Sequence, residues 1–444
     1  MSIFKAYDIR GIYPAELDET IARRIGAAFA KFLRARTLVV GRDMRRSAPS
    51  IKQAVVAGIT SQGTDVIDVG LTSTPMAYFA IGSLKGDGGL TTTASHNPPE
   101  YIGFKLCRED AIPLSGDTGI KDIERMVLAG DLPAAARPGS VRTVDTRAAH
   151  RQHVLSFAEP WRPLKVVIDT ANGMGGVEVP LVLEQSKLEL TWLYRELDGS
   201  FPNHEANPLK DENIRALQDK VRELGADIGF AFDGDADRCA VVDERGERVA
   251  ADITTALIAP AILKRSPGAA IVYDLRSSRA VPEEIRKAGG IPVRERVGHA
   301  FIRATLRKHQ GPFGGELSGH YYFRDNYYSD SATIAMVHML NLLSRASRPL
   351  SQIAAPVQRY FTTGEVNFEV EDKDGMIKRL AELYRAGEID YLDGITVQFK
   401  DWWFNVRKSN TEPLLRLCLE ASTKAMLLDK RAELVQILGR PSQH

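Results

Sequence analysis

Three times along the chain a short run of apolar, mostly β-branched residues ends in an aspartate. The runs are Leu38-Val39-Val40-Gly41-Arg42-Asp43, Val166-Val167-Ile168-Asp169 and Ala270-Ile271-Val272-Tyr273-Asp274. Runs of this length between polar or glycine turns predict buried strands. Helix-compatible sequence follows each one, over 50–61, 176–185 and 278–288. A second strand candidate comes next in each unit (66–69, 188–193, 291–294), and a third closes it (89–92, 227–232, 312–315). Strands alternating with helices predict α/β layers with a largely parallel sheet, and a recurring set of elements predicts repeated domains. Ahead of the first repeat, residues 1–13 read as an extended segment with a glycine turn. Over 18–33, Ile21, Ile25, Ala28, Phe29 and Phe32 then keep the period of an amphipathic helix.

After about residue 360 the pattern changes. Alternation predicts strands over 365–370, 394–400, 402–406 and 414–419, with helices over 375–386 and 424–438, which is a smaller α+β domain. Segments 131–140 and 347–356 read as linkers, and a softer join lies near 243–251. The expected division is therefore four domains: 1–140, 141–246, 247–357 and 358–444.

Bulk properties narrow the function without naming it. At 444 residues the chain exceeds a single core. Lys plus Arg (58) nearly balances Asp plus Glu (57), so no global field favours nucleic acid or an anionic membrane, and any anion site must be local. The apolar runs 253–263 and 332–343 fall short of the roughly 18–20 residues of a membrane span. The first ten residues lack the apolar core of a signal peptide. Cys107, Cys239 and Cys418 match no metal or redox spacing. A cytoplasmic protein, monomeric or weakly dimeric, is the expectation.

Ligands of open α/β sheets sit at the carboxyl ends of strands, and each third strand candidate runs into a chemically loaded loop. The first is Thr93-Ala94-Ser95-His96-Asn97-Pro98, where Pro98 and Pro99 fix a turn beside a hydroxyl. Ser95 is thereby a candidate nucleophile, although Ser95-His96-Asn97-Pro98 also reads as an ordinary turn. The second is Asp233-Gly234-Asp235-Ala236-Asp237-Arg238, whose three carboxylates repel one another unless a cation neutralises them. An EF-hand is excluded because Arg238 stands where that loop needs glycine and the flanks read as strands. A Mg²⁺-type site remains, against a solvated acidic turn. The third, Glu316-Leu317-Ser318-Gly319-His320, offers acceptors suited to vicinal sugar hydroxyls, or is a plain glycine loop. In the last domain, Arg407-Lys408-Ser409-Asn410-Thr411-Glu412-Pro413 suits a dianionic phosphate or a capped polar turn. Arg416 either joins it or faces solvent. Tyr7 and Arg10 on the N-terminal extended segment, Lys105 close after the serine loop and His299 after a strand and a glycine are further candidates, each also readable as a surface residue.

Taken together, YDIRG (7–11), TASHNP (93–98), DGDADR (233–238), GELSGH (315–320) and RKSNTEP (407–413) resemble the α-D-phosphohexomutase family over nearly the whole chain. The resemblance implies four domains around a central cleft, three similar α/β units and a C-terminal TATA-box-binding-protein-like domain. It also implies roles. Ser95 would carry a phosphoryl group, with one Mg²⁺ held by that phosphate and by Asp233, Asp235 and Asp237. Glu316 and Ser318 would bind sugar O3 and O4; Arg407, Ser409, Asn410, Thr411 and Arg416 would hold the unreactive phosphate. Tyr7, Arg10, His96, Lys105, Arg238, His299 and His320 would line the cleft, with Lys105 or His299 exchanging the hydroxyl proton. The implied activity interconverts hexose 6-phosphate and 1-phosphate, of mannose or glucose, with glucose 1,6-bisphosphate as intermediate and activator. Leu317 fits the phosphomannomutase/phosphoglucomutase form of the sugar loop, whereas Gln before Ser would suggest phosphoglucosamine mutase. Ile102, Arg276 and Ile253 depart from the family's common Asn, Lys and Arg, which bears on how phosphate is recognised. A sugar phosphatase and a non-catalytic sugar-phosphate binder are the other readings.

Overall fold

The three aspartate-ended runs are the central strands of three sheets. Thr37–Arg42 lies between Asp65–Leu71 and Gly88–Thr92, and Lys165–Asp169 lies between Glu189–Leu193 and Ile228–Phe232. Ala270–Asp274 lies between Ile291–Glu295 and Phe313–Gly315, and every one of these pairs is parallel. The terminal aspartates do the same job each time. Asp43, Asp169 and Asp274 accept a hydrogen bond from the backbone N–H two residues on, of Arg45 (2.9 Å), Ala171 (2.9 Å) and Arg276 (2.7 Å). An Asx turn thus stops each strand at its carboxyl end. A cationic or imidazole group then sits on each carboxylate: Arg45, His204 and Arg276 respectively.

The computed structural model describes residues 3–409 and 414–442. They form two units, one comprising the chain up to Ala251 with Ser318–Ser351, the other Asp252–Leu317 with the chain from Gln352 onward. In the first unit the parallel strands are extended by antiparallel ones. Tyr101–Arg108 pairs with Gly88–Thr92 and carries Ile9–Ile12 on its other side, while Cys239–Asp243 pairs with Ile228–Phe232. Val141–Thr143 adds a parallel strand beside Asp65–Leu71. The helix Glu19–Leu33 starts where the Asp18 carboxylate accepts from Ile21 N–H at 2.8 Å. It crosses Ala48–Ser61 at two glycines, where a Cβ on Gly26 would meet Val55 O at 2.2 Å and one on Gly58 would meet Arg23 O at 2.0 Å. Around that crossing Ile25, Phe29, Ile51, Val55 and Leu90 form the apolar core.

The second unit holds the third parallel trio and a separate antiparallel sheet. Phe361–Phe368, Leu415–Ala421, Trp402–Lys408, Ile395–Gln398 and Glu388–Asp390 follow one another in that sheet. Phe368, Leu380, Phe404, Leu417 and Leu434 fill the space between it and the helices Lys373–Leu383 and Lys424–Leu438. The two segments read as linkers carry local structure. Residues 347–356 are not plain linker, since Leu350–Ala354 is helical, with Leu350 and Ala354 buried. Segment 131–140 is irregular but tied down, with Ala135 N–H donating to Ser61 O and Gly139 N–H to Thr60 O, both 2.8 Å. Among the described residues no helix is long and apolar enough to cross a membrane.

Candidate active site

Past the strand Gly88–Thr92 the chain turns sharply at Ser95, which holds φ at 51° although it carries a side chain. Such a conformation persists only where surroundings enforce it, and here they do. Ser95 N–H donates to Thr93 Oγ1 at 3.0 Å. The Arg45 guanidinium donates to four carbonyls of this loop: Ser95 (2.8 Å), Asn97 (2.6 Å), Pro98 (2.7 Å) and Tyr101 (3.1 Å). Arg45 is fully buried, with Asp43 3.4 Å from its Nε and the Phe201 ring 5.1 Å from its Cζ. Arg10, paired with Asp8 at 2.7 Å, also donates to the Asn97 side chain. Tyr7, just ahead of the strand Ile9–Ile12, is half-buried.

The aspartate loop comes against the serine loop because Gly234 has no side chain: a Cβ there would meet Ser95 O at 2.5 Å. Ser95 Oγ donates to Asp233 Oδ2 at 3.1 Å and lies 3.3 Å from His96 Nδ1. Lys105, on the strand Tyr101–Arg108, pairs with Asp235 at 2.6 Å and with Asp237. Arg238 Nε donates to Asp233 at 3.0 Å, and His320 Nε2 stands 3.6 Å from Asp237. His320 Nδ1 is 2.9 Å from Ser318 Oγ. Burial would depress Lys105, but Asp235 and Asp237 outweigh it and hold the ammonium well above the ordinary lysine value. Burial and Asp237 push Asp233 up to about 8. Lys105 and His320 overcome the cost of burial to keep Asp237 well below the usual aspartate range. Burial, then Arg238 and Arg10, keep His96 well below the ordinary imidazole value, hence neutral at pH 7.

The donor set fits a hard divalent cation. One oxygen from each of Asp233, Asp235 and Asp237 lies within 4.8 Å of the others, all three are buried, and Asp235 Oδ1 takes no hydrogen bond. All-oxygen donors suit Mg²⁺. Behind them, Thr74 Oγ1 donates to Asp235 Oδ2 at 2.6 Å and Thr74 N–H to Asp235 O at 3.0 Å. The neighbouring Ser73 donates to Glu178, whose carboxyl is buried with His150 at 3.7 Å and is pushed by burial up to about 7.

In the second unit a different cluster forms. Arg407 donates to Glu365 at 2.6 Å, and Arg416 and Arg276 reach the same carboxylate at 3.0 and 3.4 Å. Arg407 and Arg416 stand directly opposite each other on paired strands, a like-charge contact that needs a compensating anion. Burial would raise Glu365, but Arg276, Arg407 and Arg416 keep it below the usual glutamate value. Arg276 continues to Asp274 at 2.7 Å, and Asp274 Oδ2 accepts Leu317 N–H at 2.8 Å, so the arginines and the Glu316 loop share one network. Glu316 is buried and its Oε1 accepts Gly298 N–H at 3.1 Å, next to His299 at the start of the helix His299–His309.

The structure thus gathers Ser95, His96, Arg10, Lys105, Arg238, His320, Ser318 and the three aspartates within the first unit. Arg407 and Arg416 cluster in the second, which also carries Glu316, His299 and Ser409. Arg416 turns to Glu365 rather than to solvent. Asn410 and Thr411 lie outside the described residues. Lys105 is a buried ion-pair partner and no surface lysine. Sequence reasoning missed Arg45, Thr74, Asp274 and Glu365. For Arg45 and Asp274 a signal existed in the aspartate at each strand end; Thr74 and Glu365 act on residues distant in sequence and leave none.

Phosphoglucomutase/phosphomannomutase family models match the chain in series: α/β/α domain I over residues 1–133, domain II over 147–246, domain III over 250–360 and the C-terminal domain over 365–437. A protein of Xanthomonas campestris pv. campestris described as phosphohexose mutases is 42% identical over 443 residues, covering 98% of this chain and 99% of that one. The phosphomannomutase of Escherichia coli K12 is 38% identical, covering 97% of each. A crystal structure of a Burkholderia thailandensis protein of the phosphoglucomutase/phosphomannomutase family superposes with a TM-score of 0.90 at 33% identity, covering 98% of this chain and 96% of that one.

Proposed function

The chain belongs to the phosphohexomutase family and is a four-domain α/β hexose-phosphate mutase, and from that membership we propose that it moves a phosphoryl group between O6 and O1 of mannose or glucose through Ser95. The observation that carries this reading is the Ser95 hydroxyl, 3.1 Å from Asp233 in a buried triad of carboxylates.

Phosphorylated Ser95 donates its group to the free hydroxyl of a hexose monophosphate. The phosphorus–Oγ bond breaks, a bond to the sugar oxygen forms, and the product is a hexose 1,6-bisphosphate. The sugar then turns end for end, and Ser95 Oγ takes the other phosphoryl group, leaving the isomeric monophosphate. His96 is kept neutral and lies 3.3 Å from Ser95 Oγ, so its Nδ1 is placed to give and take the serine proton. Lys105 is held charged and donates to the transferring oxygens, while His299 exchanges the sugar hydroxyl proton. Arg238 adds charge stabilisation. Mg²⁺ on Asp233, Asp235 and Asp237 supplies Lewis-acid neutralisation of phosphoryl charge when bound. Glu316 and Ser318 accept from O3 and O4 in either sugar orientation, and Arg407, Ser409 and Arg416, with Asn410 and Thr411, hold the phosphate that is not reacting. A loop reading only O3 and O4 tolerates both epimers at C2.

The test is a coupled assay on glucose 1-phosphate, mannose 1-phosphate and glucosamine 1-phosphate with Mg²⁺ and a trace of glucose 1,6-bisphosphate. Conversion of the first two to 6-phosphates is expected. Preference for the amino sugar would move the assignment to phosphoglucosamine mutase, and release of inorganic phosphate without isomerised sugar would make the protein a phosphatase.

A further inference from the structure

The second unit contains a cleft of about 400 Å³ that none of the candidate site residues lines. This is within the range of small-molecule sites, roughly 300–1,000 Å³. It opens at the carboxyl end of the strand Ala270–Asp274, on the other side from the arginine cluster. Tyr273 and Leu275 line it, while the alternating Asp274 and Arg276 turn to Glu365 and the Glu316 loop. Tyr273 and Trp403 are buried in its walls.

Four cationic side chains face this space: Arg279, Arg286, Arg294 and Lys400. The Arg279 guanidinium is fixed by main-chain carbonyls, of Lys400 at 2.9 Å and of Trp402 at 3.2 Å among others, and not by a carboxylate. Arg294 pairs with Asp390. Among the described residues no carboxylate pairs with Arg286 or Lys400, both exposed at the rim. The single lining carboxylate, Glu283, is taken by Arg359 and by the Tyr360 hydroxyl at 2.7 Å. Like charges gathered in a concave site repel one another and focus a positive potential outward. Guanidinium forks match phosphate oxygens in pairs.

We propose that this cleft is a second anion site, taking a small molecule with two phosphoryl groups. Its source is a nucleoside diphosphate or the sugar bisphosphate of the reaction. The occupant touches the strand ends at Tyr273 and Arg294 and the sheet at Lys400 and Trp403, and so ties together the two parts of this unit.

The probe is inorganic pyrophosphate, titrated into the full-length protein with Mg²⁺ while intrinsic tryptophan emission is followed. A saturable change is expected that Trp403→Phe abolishes. Arg286→Glu combined with Lys400→Glu should weaken it roughly tenfold or more, with the milder Arg286→Gln, Lys400→Gln pair in between. Arg407→Ala, which alters the other cluster, should leave it unchanged. Mutase turnover without pyrophosphate should be unaffected by the rim substitutions. Displacement by a nucleoside diphosphate assigns the cleft to a nucleotide, and displacement by glucose 1,6-bisphosphate assigns it to the reaction's own sugar; either supports the site. Absence of a saturable Trp403-dependent change, or a change insensitive to both rim pairs, overturns it, whatever the mutase assay gives.

Discussion

The carboxylates around Asp235 and the arginines around Glu365 solve one electrostatic problem with opposite signs. In the first unit three aspartates are met by two cations, Lys105 and Arg238. In the second, three arginines are met by two carboxylates, Glu365 and Asp274. Asp233, pushed up to about 8, holds the proton that a cation would displace, while Glu365 occupies the guanidinium groups that an anion would take. The two networks differ in how they are built. The aspartates come from a single turn, are fully buried and are held by backbone N–H groups and Thr74. Arg407 and Arg416 come from paired strands and Arg276 from the turn after Ala270–Asp274, and they meet on a Glu365 side chain that is 22% exposed. The first cluster is fixed before a ligand arrives; the second is held by ion pairs that a phosphate can replace one for one.

Ser95→Ala should break the comparison most severely, lowering mutase turnover by about 10³-fold or more. Circular dichroism and phosphate protection of the arginine cluster should stay unchanged. Lys105→Met leaves Asp235 and Asp237 without their ammonium, and breaking a buried pair costs about 3–5 kcal/mol. Urea unfolding without Mg²⁺ should show this loss, and added Mg²⁺ should restore more stability to this variant than to the wild type. If Mg²⁺ helps both equally, Lys105 and the cation do not share the same carboxylates.

Glu178 tests the support behind Asp235 through pH. Its carboxyl is raised from 4.5 to about 7 by burial, so the protonated form favours the native state. Its contribution is complete below about 4.5 and is lost as the pH rises through about 7. Glu178→Gln should flatten that decline, by at most about 3 kcal/mol between the two ends. A melting-temperature profile as steep in the variant as in the wild type would remove Glu178 from this role. The smallest effect is expected from Glu365→Gln, about 1–3 kcal/mol, recovered by millimolar phosphate in thermal melts. Failure of phosphate to recover it would mean that the arginines do not exchange Glu365 for an anion.

The distance over which residues cooperate separates what the sequence revealed from what it hid. The aspartate-ended strands and their flanking strands were legible because period and turn chemistry are local. Ser95 and the aspartate triad were legible because their chemistry is contiguous. The helix Thr74–Ser83 escaped notice because all but its last residue are buried, which erases amphipathic periodicity. Glu388–Asp390 is only three residues long. Arg45 was passed over although it clamps the serine loop from 50 residues away, and Glu365 reaches Arg407 across 42. Long-range contacts of that kind follow from topology: the strand-end Asp43 beside Arg45 was a local hint, but nothing near Glu365 pointed to Arg407. Pro98 and Pro99 marked the serine turn in the sequence, whereas the Arg45 guanidinium that donates to four of its carbonyls did not stand out.

Transfer of labelled phosphorus from hexose 1,6-bisphosphate to the polypeptide, followed by peptide mapping, bears most directly on the role given to Ser95. The expected result is label on the peptide containing Ser95, lost when hexose monophosphate is added and absent in Ser95→Ala. Sustained isomerisation of hexose phosphate with no label on that peptide would contradict it.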